Sequence, residues 1–172
     1  ENSEDQLRIK MVEEDAFEVG KDIATSPGKI VYQNDLLQLI QYNPTTPTVS
    51  KTPLLIMPPW INKYYILDLQ EENSFVKWAI DQGITIFMVS WVNPDEKLSE
   101  KTFEDYIIEG PLACLEAIQK ATGEGAVNVI GYCLGGTLLA ATLAVLERKH
   151  KKSTPSVKSA TFFTTMVDFE QA

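Results

Sequence analysis

The feature that most constrains the fold is a series of short apolar runs separated by segments long enough to be helices. The runs are residues 54–57, 85–90, 127–130 and 160–163. Strands buried on both faces of a parallel sheet have this appearance, because helices cover each face. Helices are predicted between the runs at 71–82, 102–121 and 135–149, and Gly83 and Gly123 stand where two of them should end. The alternation predicts right-handed crossovers and a parallel sheet with helices on both sides.

An antiparallel hairpin is predicted before these runs. Residues 29–32 and 37–42 are rich in strand-forming side chains, and the turn-prone pair Asn34 and Asp35 lies between them. A hairpin followed by parallel strands is the order of an α/β-hydrolase core. We therefore predict an N-terminal arm over residues 1–27 and, over 28–172, the N-terminal part of an α/β-hydrolase catalytic domain, truncated before its cap and last strands.

Composition narrows the class of protein. The formal net charge of -9 is spread along the chain, so a nucleic-acid partner is not expected. Two cysteines are too few for a disulfide framework, and no stretch has the pattern of a secretory signal. The longest apolar runs are far shorter than the roughly 20 residues of a membrane-spanning helix. The sequence predicts a cytoplasmic protein with free thiols and no transmembrane segment.

The strongest chemical signal is the hexapeptide Gly131-Tyr132-Cys133-Leu134-Gly135-Gly136, which follows an apolar run and opens a predicted helix. It fits the G-x-S-x-G nucleophile elbow with cysteine in place of serine. Small residues on either side of the nucleophile let strand and helix approach without a clash. The thiol of Cys133 would then lie at the helix N-terminus, which favours a thiolate, with the Leu134 amide directed at a developing oxyanion. The alternative is a buried structural cysteine beside a glycine-rich turn.

A second signal is the loop that follows the first apolar run, which begins Pro58-Pro59-Trp60-Ile61-Asn62-Lys63. In α/β-hydrolases this loop supplies the other oxyanion amide, here assigned to Ile61. Two prolines restrict the exit of the chain from the sheet. Trp60 and Asn62 are candidates for the substrate pocket. A rigid loop whose Trp60 only covers the core explains the pattern equally well.

The remaining titratable residues do not complete a catalytic triad. The chain's one histidine, His150, lies at the far end of the elbow helix, roughly 20 Å from the thiol at 1.5 Å per residue. Asp168 comes too early in the chain to be the usual acid and is interpreted as a structural loop residue. Cys114, with apolar neighbours in a predicted helix, is interpreted as a core residue. No motif indicates a metal site or a cofactor.

Long stretches of the chain resemble one family, the class I poly(3-hydroxyalkanoate) synthases. They are residues 33–42 (QNDLLQLIQY), 53–69 (PLLIMPPWINKYYILDL), 90–95 (SWVNPD), 103–111 (FEDYIIEGP), 131–137 (GYCLGGT) and 161–169 (TFFTTMVDF). The resemblance runs from about Ala16 to the end of the chain. These motifs are long enough to be specific, which a five-residue elbow alone is not.

The resemblance implies an acyltransferase that polymerises (R)-3-hydroxyacyl-CoA, releases CoA, and carries the growing polyester on Cys133 as a thioester. It also implies location at polyester granules and a homodimer in the full-length protein. The family's catalytic Asp and His would lie beyond Ala172, so this segment alone is expected to be inactive. Two other functions fit the residues: a cysteine-dependent α/β-hydrolase acting on esters or lactones, and a non-catalytic remnant that binds granules.

Overall fold

The described residues form a six-stranded mixed sheet. The structure, a computed structural model, describes residues 13, 16–149 and 155–170. The strands are β1 Gly28–Gln33, β2 Leu37–Tyr42, β3 Leu54–Met57, β4 Ile86–Trp91, β5 Ala126–Tyr132 and β6 Ser156–Phe163. Their order across the sheet is β1-β2-β4-β3-β5-β6.

Strand directions confirm the predicted hairpin and the mostly parallel sheet. β2 is antiparallel to both β1 and β4, whereas β4, β3, β5 and β6 run parallel to one another. Crossover connections between parallel strands leave all four carboxyl ends at the same edge. The loops after β3, β4, β5 and β6 therefore meet there, and the two predicted chemical motifs come together.

In the part of the chain that the structure describes, four α-helices connect the strands: α1 Phe75–Asp81, α2 Phe103–Ile107, α3 Ala113–Thr122 and α4 Leu134–Lys149. Gly83 and Gly123 have φ of 74° and 76° and follow α1 and α3, as predicted. The segment predicted as helical, 102–121, is helical over 103–122 but is kinked. A wider turn, Ile108–Leu112, separates α2 from α3, because Gly110 is non-helical (φ −91°, ψ −106°) and Pro111 has no amide hydrogen to donate.

Alternate residues of each buried strand contribute to two cores, one on each face of the sheet. Leu55 and Met57 of β3 pack with helices α3 and α4, whereas Ile56 packs with α1. This period of two places helices on both faces, as the apolar runs predict. The positions of Trp78 in a predicted helix and of Phe162 in an apolar run indicate core residues, but their side chains are 57% and 43% exposed.

A buried carboxylate connects the segment before β1 to helix α1. Asp68 accepts hydrogen bonds from the hydroxyls of Ser26 and Ser74, each at 2.6 Å, and from the Ser26 amide at 3.2 Å. The Ser74 hydroxyl also caps α1 by accepting from the Lys77 amide at 2.8 Å. Residues near the end of the predicted arm thus contact the domain, and the boundary at residue 27 stays a prediction. None of the helices within the described residues is long and apolar enough to cross a bilayer.

Candidate active site

Cys133 occupies a strained turn between β5 and α4. Its φ is 53°, in the left-handed region that residues with a side chain rarely adopt, and its side chain is half-buried. The Cys133 carbonyl accepts from the Gly136 amide at 2.9 Å and from the Thr137 amide at 3.2 Å. The thiol therefore stands at the N-cap of α4, where the partial positive charge of the helix is greatest.

The three elbow glycines allow close approaches that no side chain permits. A Cβ on Gly131 would lie 2.5 Å from the Gly136 Cα atom. A Cβ on Gly135 would overlap the Met57 carbonyl oxygen at the end of β3, and one on Gly136 would overlap the Thr165 side chain. The start of α4 is thus held between the segment leaving β3 and the segment leaving β6.

Hydrogen bonds hold the elbow but do not engage the Leu134 amide. The Cys133 amide donates to the Phe163 carbonyl at 2.9 Å, and the Thr137 hydroxyl donates to the Met166 carbonyl at 2.7 Å. Within the part of the chain that the structure describes, the Leu134 amide has no acceptor. The first amides of a helix have no partner inside it, so this donor is available to an oxyanion beside the thiol.

The second predicted oxyanion segment leaves the sheet beside the elbow. Pro58 and Pro59 are buried, and the Asn62 amide donates to the Pro59 carbonyl at 3.3 Å, which closes a turn. The Ile61 amide has no acceptor among the described residues, and the Ile61 side chain is 70% exposed. The loop therefore offers a second free amide, at the edge of the sheet where Cys133 lies.

The two pocket candidates have different surroundings. Trp60 is half-buried and packs edge to face on Trp91 and obliquely on Tyr106, with ring centroids 6.1 Å and 5.2 Å away. Its indole packs on the core while Asn62 is exposed, and the pocket roles of both residues stay predictions. The exposed Lys63 donates to the Asn93 side chain at 2.6 Å.

Sequence reasoning missed two contributors to this edge of the sheet. The Trp91 indole Nε1 donates to the Pro58 carbonyl at 2.7 Å, and Thr165 packs against Gly136. Trp91 ends β4 and Thr165 follows β6. Their position at the carboxyl end of a parallel strand, like that of the two recognised motifs, was the signal available.

Of the triad candidates, His150 lies outside the described residues. Asp168 is exposed and accepts from the Glu170 amide at 3.0 Å, a local contact within its own loop. This environment agrees with its interpretation as a structural loop residue.

Cys114 is fully buried in α3, and burial alone raises the pKa of its thiol well above the ordinary value. Of the two cysteines in this chain, we therefore expect a disulfide reagent to modify Cys133 in the native complete protein and Cys114 only after denaturation. Mass spectrometry of labelled peptides identifies the reacting residue. Rapid native labelling of Cys114 would contradict its buried position.

Comparisons with known proteins show which sequences and structures this chain resembles. A family model described as "Poly-beta-hydroxybutyrate polymerase (PhaC) N-terminus" matches residues 1–79. The chain is 54% identical over 167 residues to the poly(3-hydroxyalkanoate) polymerase subunit PhaC of Rhizobium etli, covering 97% of this chain and 26% of that protein. It is 53% identical to the poly(3-hydroxyalkanoate) polymerase of Methylorubrum extorquens, with 97% and 27% covered.

A solved structure supports the fold alone. A hormone-sensitive lipase from a metagenome library superimposes with a TM-score of 0.53 at 15% identity, covering 82% of this chain and 45% of that one. The chain spans about a quarter of the length of the curated relatives named above. The strand order is that of an α/β-hydrolase, and the similarity to these relatives extends along nearly all residues of the chain. The chain therefore belongs to the poly(3-hydroxyalkanoate) polymerase family and corresponds to a segment of its members.

Proposed function

We propose that this chain is the nucleophile-bearing part of an acyltransferase that polymerises (R)-3-hydroxyacyl-CoA and releases CoA. The observation that carries the proposal is the position of Cys133. The thiol stands on a strained elbow at the N-terminus of α4, beside the free amide of Leu134. The names of the relatives supply the substrate class, because the site geometry by itself is compatible with any acyl transfer.

The first chemical step is acylation of Cys133. The thiolate sulfur attacks the thioester carbonyl carbon, and the amides of Leu134 and Ile61 donate to the oxygen that gains negative charge. A new carbon–sulfur bond forms on Cys133 and the carbon–sulfur bond to CoA breaks. The CoA sulfur leaves with the proton that the thiol gave up, so the step exchanges one thioester for another.

The second step extends the polyester. The hydroxyl oxygen of another 3-hydroxyacyl unit attacks the carbonyl carbon held on Cys133, forming an oxygen ester as the carbon–sulfur bond breaks. The hydroxyl proton passes to the cysteine sulfur. Because a thioester is more reactive toward an alcohol than an oxygen ester is, cysteine suits this transfer better than serine does. The catalytic Asp and His, granule association and the homodimer stay expectations from the family.

The function is tested by the products that the complete protein forms from (R)-3-hydroxybutyryl-CoA. We expect free CoA, insoluble polyester, and an acyl group on the Cys133 peptide after rapid acid quenching, detected by mass spectrometry. Release of free 3-hydroxybutyrate without polymer would indicate that the protein is a cysteine-dependent hydrolase and not a synthase. Absence of both CoA release and acylation would favour a non-catalytic granule-binding protein.

A further inference from the structure

The Pro58 carbonyl links the loop after β3 to two other parts of the site. It accepts from the Trp91 indole Nε1 at 2.7 Å. The same oxygen would lie 3.0 Å from a Cβ on Gly135, the glycine at the start of α4. One carbonyl therefore lies between the end of β4 and the elbow, so its orientation affects the spacing between the oxyanion loop and Cys133.

The Trp91 indole, which donates to this carbonyl, is fixed in place by packing. Trp91 is only 9% exposed, and its ring packs edge to face on Trp60 and at a tilt on Tyr106, with centroids 6.1 Å and 5.6 Å away. A Cβ on Gly110 would come within 3.0 Å of the indole Cη2 atom. The absence of a side chain at Gly110 thus leaves room for the Trp91 indole.

We propose that Trp91 is a positioning residue for acylation, acting through the Pro58 carbonyl on the free amides of the loop. This inference rests on the proposed function. The Pro58 carbonyl belongs to the peptide bond that joins Pro58 to Pro59. Because the ring of Pro59 restricts its φ and leaves no amide hydrogen, the orientation of this carbonyl sets the direction in which the next residues continue. A buried carbonyl that loses its donor is left without a hydrogen bond, which is unfavourable unless the carbonyl turns to another partner. That rotation would turn the Ile61 amide away from the thioester oxygen.

Two reactions of the Cys133 thiol distinguish a positioning role of Trp91 from a general role in maintaining the fold. Acylation by (R)-3-hydroxybutyryl-CoA generates an oxyanion, whereas alkylation by iodoacetamide needs the Cys133 thiolate but no oxyanion donor. In the complete protein, Trp91→Phe is expected to slow single-turnover acylation about tenfold or more, as loss or misplacement of an oxyanion donor does. Its alkylation rate should stay within about twofold of the parent rate, since the elbow keeps its own hydrogen bonds.

The matched control is Trp78→Phe, which makes the same substitution at an exposed tryptophan on α1. Both rates should be unchanged in this variant. A second substitution keeps the fold and removes the donor alone: 3-benzothienylalanine at position 91 has the shape of tryptophan but no N–H. It should reproduce the loss in acylation with the thermal midpoint nearly unchanged.

The outcomes distinguish this inference from the proposed function. Absence of acyl-Cys133 in the parent protein would refute the proposed function itself. Normal acylation in the parent and in both position-91 variants would refute only the role of Trp91. A parallel fall in acylation and alkylation would show that Trp91 maintains the whole elbow and would also overturn the positioning role.

Discussion

Cys133→Ala in the complete protein is expected to lower CoA release from (R)-3-hydroxybutyryl-CoA by at least about 10⁴-fold, the scale seen when a covalent nucleophile is removed. The methyl group fits the elbow but cannot attack a carbonyl. Substrate binding should survive, because the Leu134 and Ile61 amides are unchanged. Release is measured with a thiol reagent, and binding by calorimetry with a non-hydrolysable thioether analogue of the substrate.

Cys133→Ser tests the chemistry more narrowly. A serine hydroxyl is not ionised near neutral pH and would form an oxygen ester, so we again expect near-complete loss of polymer formation. The matched control is Cys114→Ala, which removes the other cysteine from the core. That variant should lose about 1 kcal/mol of stability and keep its rate of CoA release. CoA release in Cys133→Ala at the parent rate would refute the proposed mechanism.

Gly135→Ala is expected to cause the largest loss of stability among single-methyl additions at the elbow. The new Cβ would overlap the Met57 carbonyl oxygen, and a backbone atom cannot escape by side-chain rotation. Relieving the overlap requires α4 to move away from β3. We expect a loss of about 3 kcal/mol in the free energy of unfolding, measured by denaturant titration, together with loss of CoA release.

Gly125→Ala is the matched control, because a Cβ there meets no atom within 4 Å. The substitution should change stability by less than about 0.5 kcal/mol. If Gly135→Ala were as stable and as active as Gly125→Ala, the close approach of α4 to β3 would not be required for the site.

Much of the fold could be predicted from the sequence because its signals are local. A run such as Leu54–Met57 is continuously apolar because both of its faces are covered, and this requirement can be read without knowing which helices cover it. The elbow could be recognised for a similar reason. Its glycines and Cys133 lie within six residues and contact one another across a single turn.

Other features could not be read from local sequence. The Gly110–Pro111 pair is a local signal for a kink, but the sequence does not show that Trp91 packs against Gly110 and leaves no room there for a side chain. Trp78 and Phe162 were expected in the core because aromatic residues usually are. Burial depends on whether another element covers a position, which periodicity along the chain does not report.

The sequence by itself determined the hairpin, the parallel strands and Cys133 on its turn, because each rests on neighbouring residues. Only the tertiary structure decided that β4 lies between β2 and β3, and that Trp91 donates to Pro58, 33 residues earlier in the chain. The physical reason is that a hydrogen bond or a close approach depends on distance in space. Strand order sets that distance, and it follows from the packing of all the elements together.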